Sequence, residues 1–245
     1  MNQIAALPTH RDEDYRYADL DALAPLWPVA REKIRVAPGE SGTLSIVLSG
    51  YEASARHLVI DIADGASFDL RVLNTGTGFA RVAVDARLSA KSEFTLGAAQ
   101  LGGESANLEL VTEVAHLAPD AVSRQIVRSV LGGEAVGTYL GKVAVARGAD
   151  GTDASQSVRA MLLTRTATAN ARPELEIYAD DVKCAHGCAV GELDGQALFY
   201  MAQRGLPPET AKRLMLQAFV AEAFVGAADE EALDAASQAA LEALL

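Results

Sequence analysis

The sequence predicts a mainly β protein with a short N-terminal helical entry segment (residues 1–33), a strand-built core (34–190) and a C-terminal helical subdomain (191–245). Three observations predict it. From Ile34 to Val190 apolar residues alternate with polar ones at period two, the pattern of half-buried strands. Gly, Asn, Asp and Ser interrupt these runs at short intervals, as turns require. After Gly191 the apolar spacing changes to that of helices.

In chain order, residues up to about Ala30 are charged and then punctuated by proline. Asp19 or Asp21 is placed to cap a short helix that Pro25 and Pro28 end, and Trp27, the single tryptophan, reads as a packing anchor. The alternating runs follow: Leu44, Ile46 and Leu48; Phe68, Leu70 and Val72; Val82 and Val84; Phe94 and Leu96; Leu108 and Leu110; Val143 and Val145; Leu175 and Ile177. Turns are predicted at Ala63-Asp64-Gly65, Asn74-Thr75-Gly76, Leu101-Gly102-Gly103 and Gly148-Ala149-Asp150-Gly151, bounding strands of three to six residues. No helical pattern separates the strands, which excludes an α/β sheet with helical crossovers. A sandwich and a stacked solenoid both remain. The similar layouts of Asp64-Gly-Ala-Ser-Phe-Asp-Leu and Leu88-Ser-Ala-Lys-Ser-Glu-Phe-Thr-Leu favour a degenerate solenoid repeat. Beyond Gly191, Asp194 caps a helix through Ala197, Leu198 and Met201 that Gly205 closes. Pro207-Pro208 open a second, with Leu214, Met215, Ala218, Phe219 and Val225 on its apolar face and its stop at Gly226. A third runs from about Asp229 to Leu245 with Leu233, Leu241, Leu244 and Leu245 as contacts.

Half of the 245 residues are hydrophobic, enough for a large core. The net charge of -12 repels phosphate backbones, so nucleic acid and anionic membrane surfaces are set aside as partners. Residues 1–8 lack a basic stretch followed by a long apolar one, and no run reaches the ~18 apolar residues that cross a bilayer. A cytoplasmic protein is expected, in which Cys184 and Cys188 are free thiols or metal ligands and not a bridge.

Gly137-Thr-Tyr-Leu-Gly141-Lys142 is one residue short of a phosphate loop and lacks the following Ser or Thr, so it reads as a turn. Gly76-Thr77-Gly78 lacks the third glycine of a dinucleotide motif. No nucleophile elbow is present, and the four histidines stand in unrelated contexts. Asp180-Asp181 and Glu230-Glu231 read as solvated faces or caps. The dense spot is Cys184-Ala185-His186-Gly187-Cys188. If the strand begun at Leu175 continues, Cys184 and His186 share a face and converge on one ion, while Cys188 falls in a bend. The alternative is a buried hydrophobic thiol beside a hydrogen-bonded turn histidine. A tetrahedral site is incomplete either way.

The run Arg172-Pro-Glu-Leu-Glu-Ile-Tyr-Ala-Asp-Asp-Val-Lys-Cys-Ala-His-Gly187, then Val190-Gly-Glu-Leu-Asp194, Ala197-Leu-Phe-Tyr-Met201, Gln203-Arg-Gly-Leu206, Ala211, Leu214-Met215 and Ala218-Phe219, closely resembles the end of the core domain in the SufB/SufD family of iron-sulfur cluster assembly proteins. Pro8, Glu13, Tyr15-Arg-Tyr17, Asp19 and Leu20 resemble its N-terminal phrase, with Tyr15 where tryptophan is usual. The resemblance implies a right-handed parallel β-helix core with helical segments at both ends, and a non-catalytic scaffold. It implies pairing with SufB through an end of the β-helix and docking of the SufC ATPase on the C-terminal helices, with ATP-driven SufC dimerisation straining the junction. Lys183-Cys184-Ala-His186-Gly is the SufD-like form. Cys184 and His186 fall where iron or a nascent cluster is held transiently and shared with SufB, with nothing tightly bound to this chain alone. No role carries over to Cys188. A homodimer or homo-oligomeric binding module through exposed strand ends is the rival reading. A β-helix carbohydrate-active enzyme is a weaker one, since no charged cluster on adjacent turns and no hexapeptide repeat is visible.

Overall fold

A computed structural model describes residues 6–245; the reading of residues 1–8 as lacking a leader falls partly outside them. Among the described residues, two six-stranded parallel sheets wind as a β-helix. Sheet A is ordered β1 (Arg31–Val36), β3 (Ser54–Ile62), β5 (Phe79–Leu88), β7 (Asn107–His116), β9 (Val136–Val145) and β11 (Thr168–Ile177). Sheet B is ordered β12 (Lys183–Gly191), β10 (Asp153–Leu162), β8 (Val122–Leu131), β6 (Glu93–Gly102), β4 (Ser67–Gly76) and β2 (Ser41–Gly50). Successive strands alternate between the sheets, so each turn contributes one strand to each, and the solenoid alternative prevails over the sandwich.

In-register parallel pairing stacks like on like. Phe68 pairs with Phe94 and Leu70 with Leu96, so the two similar phrases are equivalent positions of consecutive turns. Their side chains fill the space between the sheets with Leu58, Ile60, Val82, Val84, Val143 and Val145, each buried apolar side chain contributing about 1.5–3 kcal/mol. The strands are longer than the alternation predicts, typically ten residues. Asn74 and Leu101 lie in strands and not in turns; the buried Asn74 side chain is satisfied by neighbouring backbone, donating to the Ala80 carbonyl at 3.2 Å and accepting from Gly76 N at 3.3 Å. The predicted turn at Gly137 to Lys142 is likewise the middle of β9. Its glycines are packing features: a Cβ on Gly141 would overlap the Tyr139 hydroxyl, which turns back over it inside the lumen.

Each sheet's outer face carries one terminal segment. The N-terminal segment, with α1 (Leu20–Leu23) capped by Asp19, lies on sheet A. The buried Arg81–Glu109 ion pair anchors it: Glu109 accepts from Asp19 N at 3.0 Å, Arg81 donates to the Asp14 carbonyl at 2.9 Å, and its guanidinium sits 4.4 Å from the Tyr15 ring. Trp27 meets Tyr15 edge-on at 5.9 Å, as an anchor does. The C-terminal helices α2 (Gly195–Gln203), α3 (Pro208–Ala221) and α4 (Glu230–Leu244) form the other attachment. Leu216, Phe219, Val220, Ala223, Phe224, Leu233 and Leu241 bury against Leu73, Ala99, Leu101 and Val130 of sheet B. This corrects the predicted face of α3. Leu214 and Ala218 are exposed, as is Val225 beyond it, because α3 ends at Ala221 and the turn to Gly226 (φ 79°) brings Ala223 and Phe224 inward instead. Arg71 donates to the Ala223 carbonyl at 2.7 Å and Arg128 pairs with Glu222 at 2.7 Å, tying this turn to the sheet.

Candidate metal and partner-docking site

Among the described residues β11 and β12 are the last strands of their sheets, so each leaves one edge without a strand partner. The end of the β-helix is therefore open: free backbone donors and acceptors surround a cross-section of the lumen. Ile177, Tyr178 and Val190 are exposed there.

Cys184, His186 and Cys188 all stand on β12. The strand does not continue from Leu175, which belongs to β11 in the opposite sheet; residues 178–182 carry the chain across. The predicted common face survives for a different reason. Cys184, His186 and Cys188 pair in register with Ala154, Gln156 and Val158 of β10, all three buried toward the lumen. Side chains in register on parallel neighbours point the same way. The bend expected at Gly187 and Cys188 is absent, since β12 runs to Gly191, and Cys188 shares the face after all.

Spacing decides which of the three can act together. At about 3.3 Å per residue His186 lies about 6.6 Å from each cysteine along the strand, and the cysteines about 13 Å from each other. That exceeds the ~7 Å Cα separation a disulfide tolerates and is too long for two cysteine side chains to meet on one ion with bonds of about 2.3 Å. Both cysteines are free. Burial pushes the Cys184 thiol up from its ordinary value, the Ala154 backbone opposes this, and Asp153 adds to it. Burial also raises Cys188. Both are protonated at neutral pH, so a metal must displace a proton to bind. Among the described residues no three His, Cys, Asp or Glu side chains converge as a metal site, and Cys184 with His186 would supply at most two of the four ligands of a tetrahedral site.

Below His186 lies a feature the sequence concealed. Gln125, Gln156, Tyr139 and Thr112 are buried polar residues of the lumen. Gln156 Nε2 donates to Tyr139 Oη at 3.3 Å, and Tyr139 donates to Gln125 Oε1 at 3.3 Å. Thr112 donates to Gln125 Oε1 at 3.3 Å and lies 3.2 Å from Tyr139 Oη. Burial pushes the Tyr139 phenol up to about 12, holding it as a donor. The inward glutamines were invisible before the register was known.

The described residues thus form a parallel β-helix with an open, thiol-bearing end and a helical attachment. The description "SUF system FeS cluster assembly, SufBD core domain" matches residues 49–219, more than half of the chain, and the chain belongs to this family. It is 35% identical over 108 residues to the iron-sulfur cluster assembly protein SufD of Escherichia coli, covering 44% of this chain and 26% of that protein. It is 40% identical over 118 residues to the chloroplastic protein ABCI7 of Arabidopsis thaliana, covering 47% and 24%. A SufBD family protein of Mycobacterium leprae is 29% identical over 188 residues, 71% of this chain and 44% of that one. The matched stretches thus span less than half of these relatives. No helix among the described residues is long and apolar enough to cross a membrane.

Proposed function

We propose that this chain is a SufD-type, non-catalytic scaffold subunit that pairs with SufB through its open β-helix end, docks the SufC ATPase on its C-terminal helices, and lends Cys184 and His186 to iron or a nascent cluster shared with SufB. The observation that carries the reading is the coincidence of free strand edges with half a ligand set on the same terminal turn. An incoming parallel or antiparallel strand satisfies the edge hydrogen bonds and brings the missing ligands. Exposed Phe199, Tyr200, Leu214 and Val225 on and beside α2 and α3 supply apolar surface for SufC. A reducing cytoplasm suits the two free thiols.

The test is anaerobic co-expression with SufB and SufC, measuring bound iron in wild type, Cys184→Ala and His186→Ala. Iron falls in both variants while the complex still forms. Unchanged iron and cluster delivery in both would refute the ligand roles. The same edges also suit a second copy of this chain, and native mass measurement with and without SufB and SufC separates the heteromeric scaffold from a homodimer.

A further inference from the structure

We propose that Gln156 is a positioning residue for His186: its buried, unpartnered Oε1 is placed to accept a hydrogen bond from one imidazole N–H once the exposed ring turns onto it, which leaves the lone pair of the other ring nitrogen directed toward the incoming ion. The inference rests on the reading of His186 as an iron ligand and adds a residue to it.

The argument begins with the ladder. His186, Gln156 and Gln125 are in-register neighbours on three adjacent strands, β12, β10 and β8. Gln156 is 3% exposed, and its amide is divided between two directions. The nitrogen is committed downward to Tyr139 at 3.3 Å. Tyr139 in turn donates to Gln125 Oε1, so the hydrogen-bond chain from Gln156 has a polarity. Its upper end is Gln156 Oε1, a buried acceptor with no hydrogen-bond partner among the described residues. A buried carbonyl oxygen left alone is costly. The side chain stacked directly above it in register is the His186 imidazole. Metal-bound histidines characteristically donate their second N–H to a fixed acceptor, which sets the tautomer and the ring orientation. Gln156 is the buried acceptor at that place, and its own orientation is set by the bond to Tyr139, in a chain that ends two side chains deeper at Gln125.

Two ring states share the same hydrogens and differ only in which nitrogen carries one. Their ratio is therefore the direct readout, and imidazole 15N chemical shifts of the full chain measure it at about two pH units above the ordinary histidine value. The informative variant is Gln156→Met, which keeps the volume and removes the acceptor. The column itself shows that an apolar side chain fits, since Leu96 and Leu70 occupy the equivalent positions of lower turns. Gln125→Met disturbs the same network without touching His186 and serves as the control. The expected result is a His186 tautomer ratio that shifts about fivefold in Gln156→Met, the factor of one net hydrogen bond, and does not move in Gln125→Met. In the assembled complex Gln156→Met then retains iron about ten- to a hundredfold less tightly. An unchanged ratio in Gln156→Met overturns the proposal, and so does an equal shift in both variants, which would mark a general distortion of the lumen. Full iron retention in His186→Ala would instead refute the ligand reading while leaving the tautomer result to stand by itself.

Discussion

Acid is expected to destabilise this protein in part through one buried histidine. His116, the last residue of β7, is fully buried, with Nε2 2.9 Å from Ser123 Oγ. Burial holds its pKa down at about 4 against an ordinary 6.5, and a backbone contact with Ala121 opposes this only weakly. The folded state therefore keeps the ring neutral where the unfolded chain protonates it. Because the unfolded state binds more protons in this window, stability is fully present above about pH 6.5, falls as the pH drops, and levels off below about pH 4. The gap between about 4 and 6.5, at about 1.4 kcal/mol per pH unit, amounts to about 3 kcal/mol. The perturbation is His116→Gln, which removes the titrating group and keeps a polar side chain beside Ser123. Urea unfolding is followed for both proteins from about pH 7 to about pH 4, since carboxylates common to the two cancel in the difference. Wild type loses about 3 kcal/mol more than the variant across this range. Parallel stability curves would refute the argument and place the acid sensitivity elsewhere.

Three further outcomes are expected. A Cβ on Gly97 would overlap the Ala223 carbonyl oxygen and the Arg71 guanidinium, so Gly97→Ala costs about 2 kcal/mol or more and makes α3 and α4 more accessible to hydrogen exchange. Unchanged exchange there would contradict this. Glu109→Leu strands the buried Arg81 and costs about 3–5 kcal/mol in urea denaturation, while adding Arg81→Met recovers part of it, the bonds to Asp19 N and the Asp14 carbonyl staying lost; a double variant as unstable as the single one rules this out. Mild oxidation of the monomer produces no Cys184–Cys188 bridge by intact mass, because about 13 Å separates positions four apart on a strand. A quantitative loss of two hydrogens within one chain would show that β12 is not the strand described.

Period-two alternation located seven of the twelve strands, β2, β4, β5, β6, β7, β9 and β11, and cap and stop residues such as Asp194, Pro208 and Gly205 located the helix boundaries near Gly195 and Pro208, because both signals are local. The repeat was harder to read. Turns vary in length: Ser41 and Ser67, stacked neighbours, are 26 residues apart, while Gln100 and Ser129 are 29 apart. No fixed period survives such drift, and strands were underestimated where Asn74 or the glycines of β9 resembled turn residues. A residue like Asn74 satisfies its hydrogen bonds inside the lumen, which composition does not reveal.

The candidate site divides in the same way. The sequence by itself determined that Cys184, His186 and Cys188 are close in the chain, that two soft ligands do not complete a tetrahedral site, and that the surrounding run resembles the SufB/SufD family. Only the tertiary structure decided that the three share one face, that this face borders the open end of the lumen, and that Gln156 lies beneath His186. The physical reason is register. Which way a strand residue points is fixed by parity, but which face is inward, and what stacks on it, depends on a neighbouring strand roughly one full turn away in sequence.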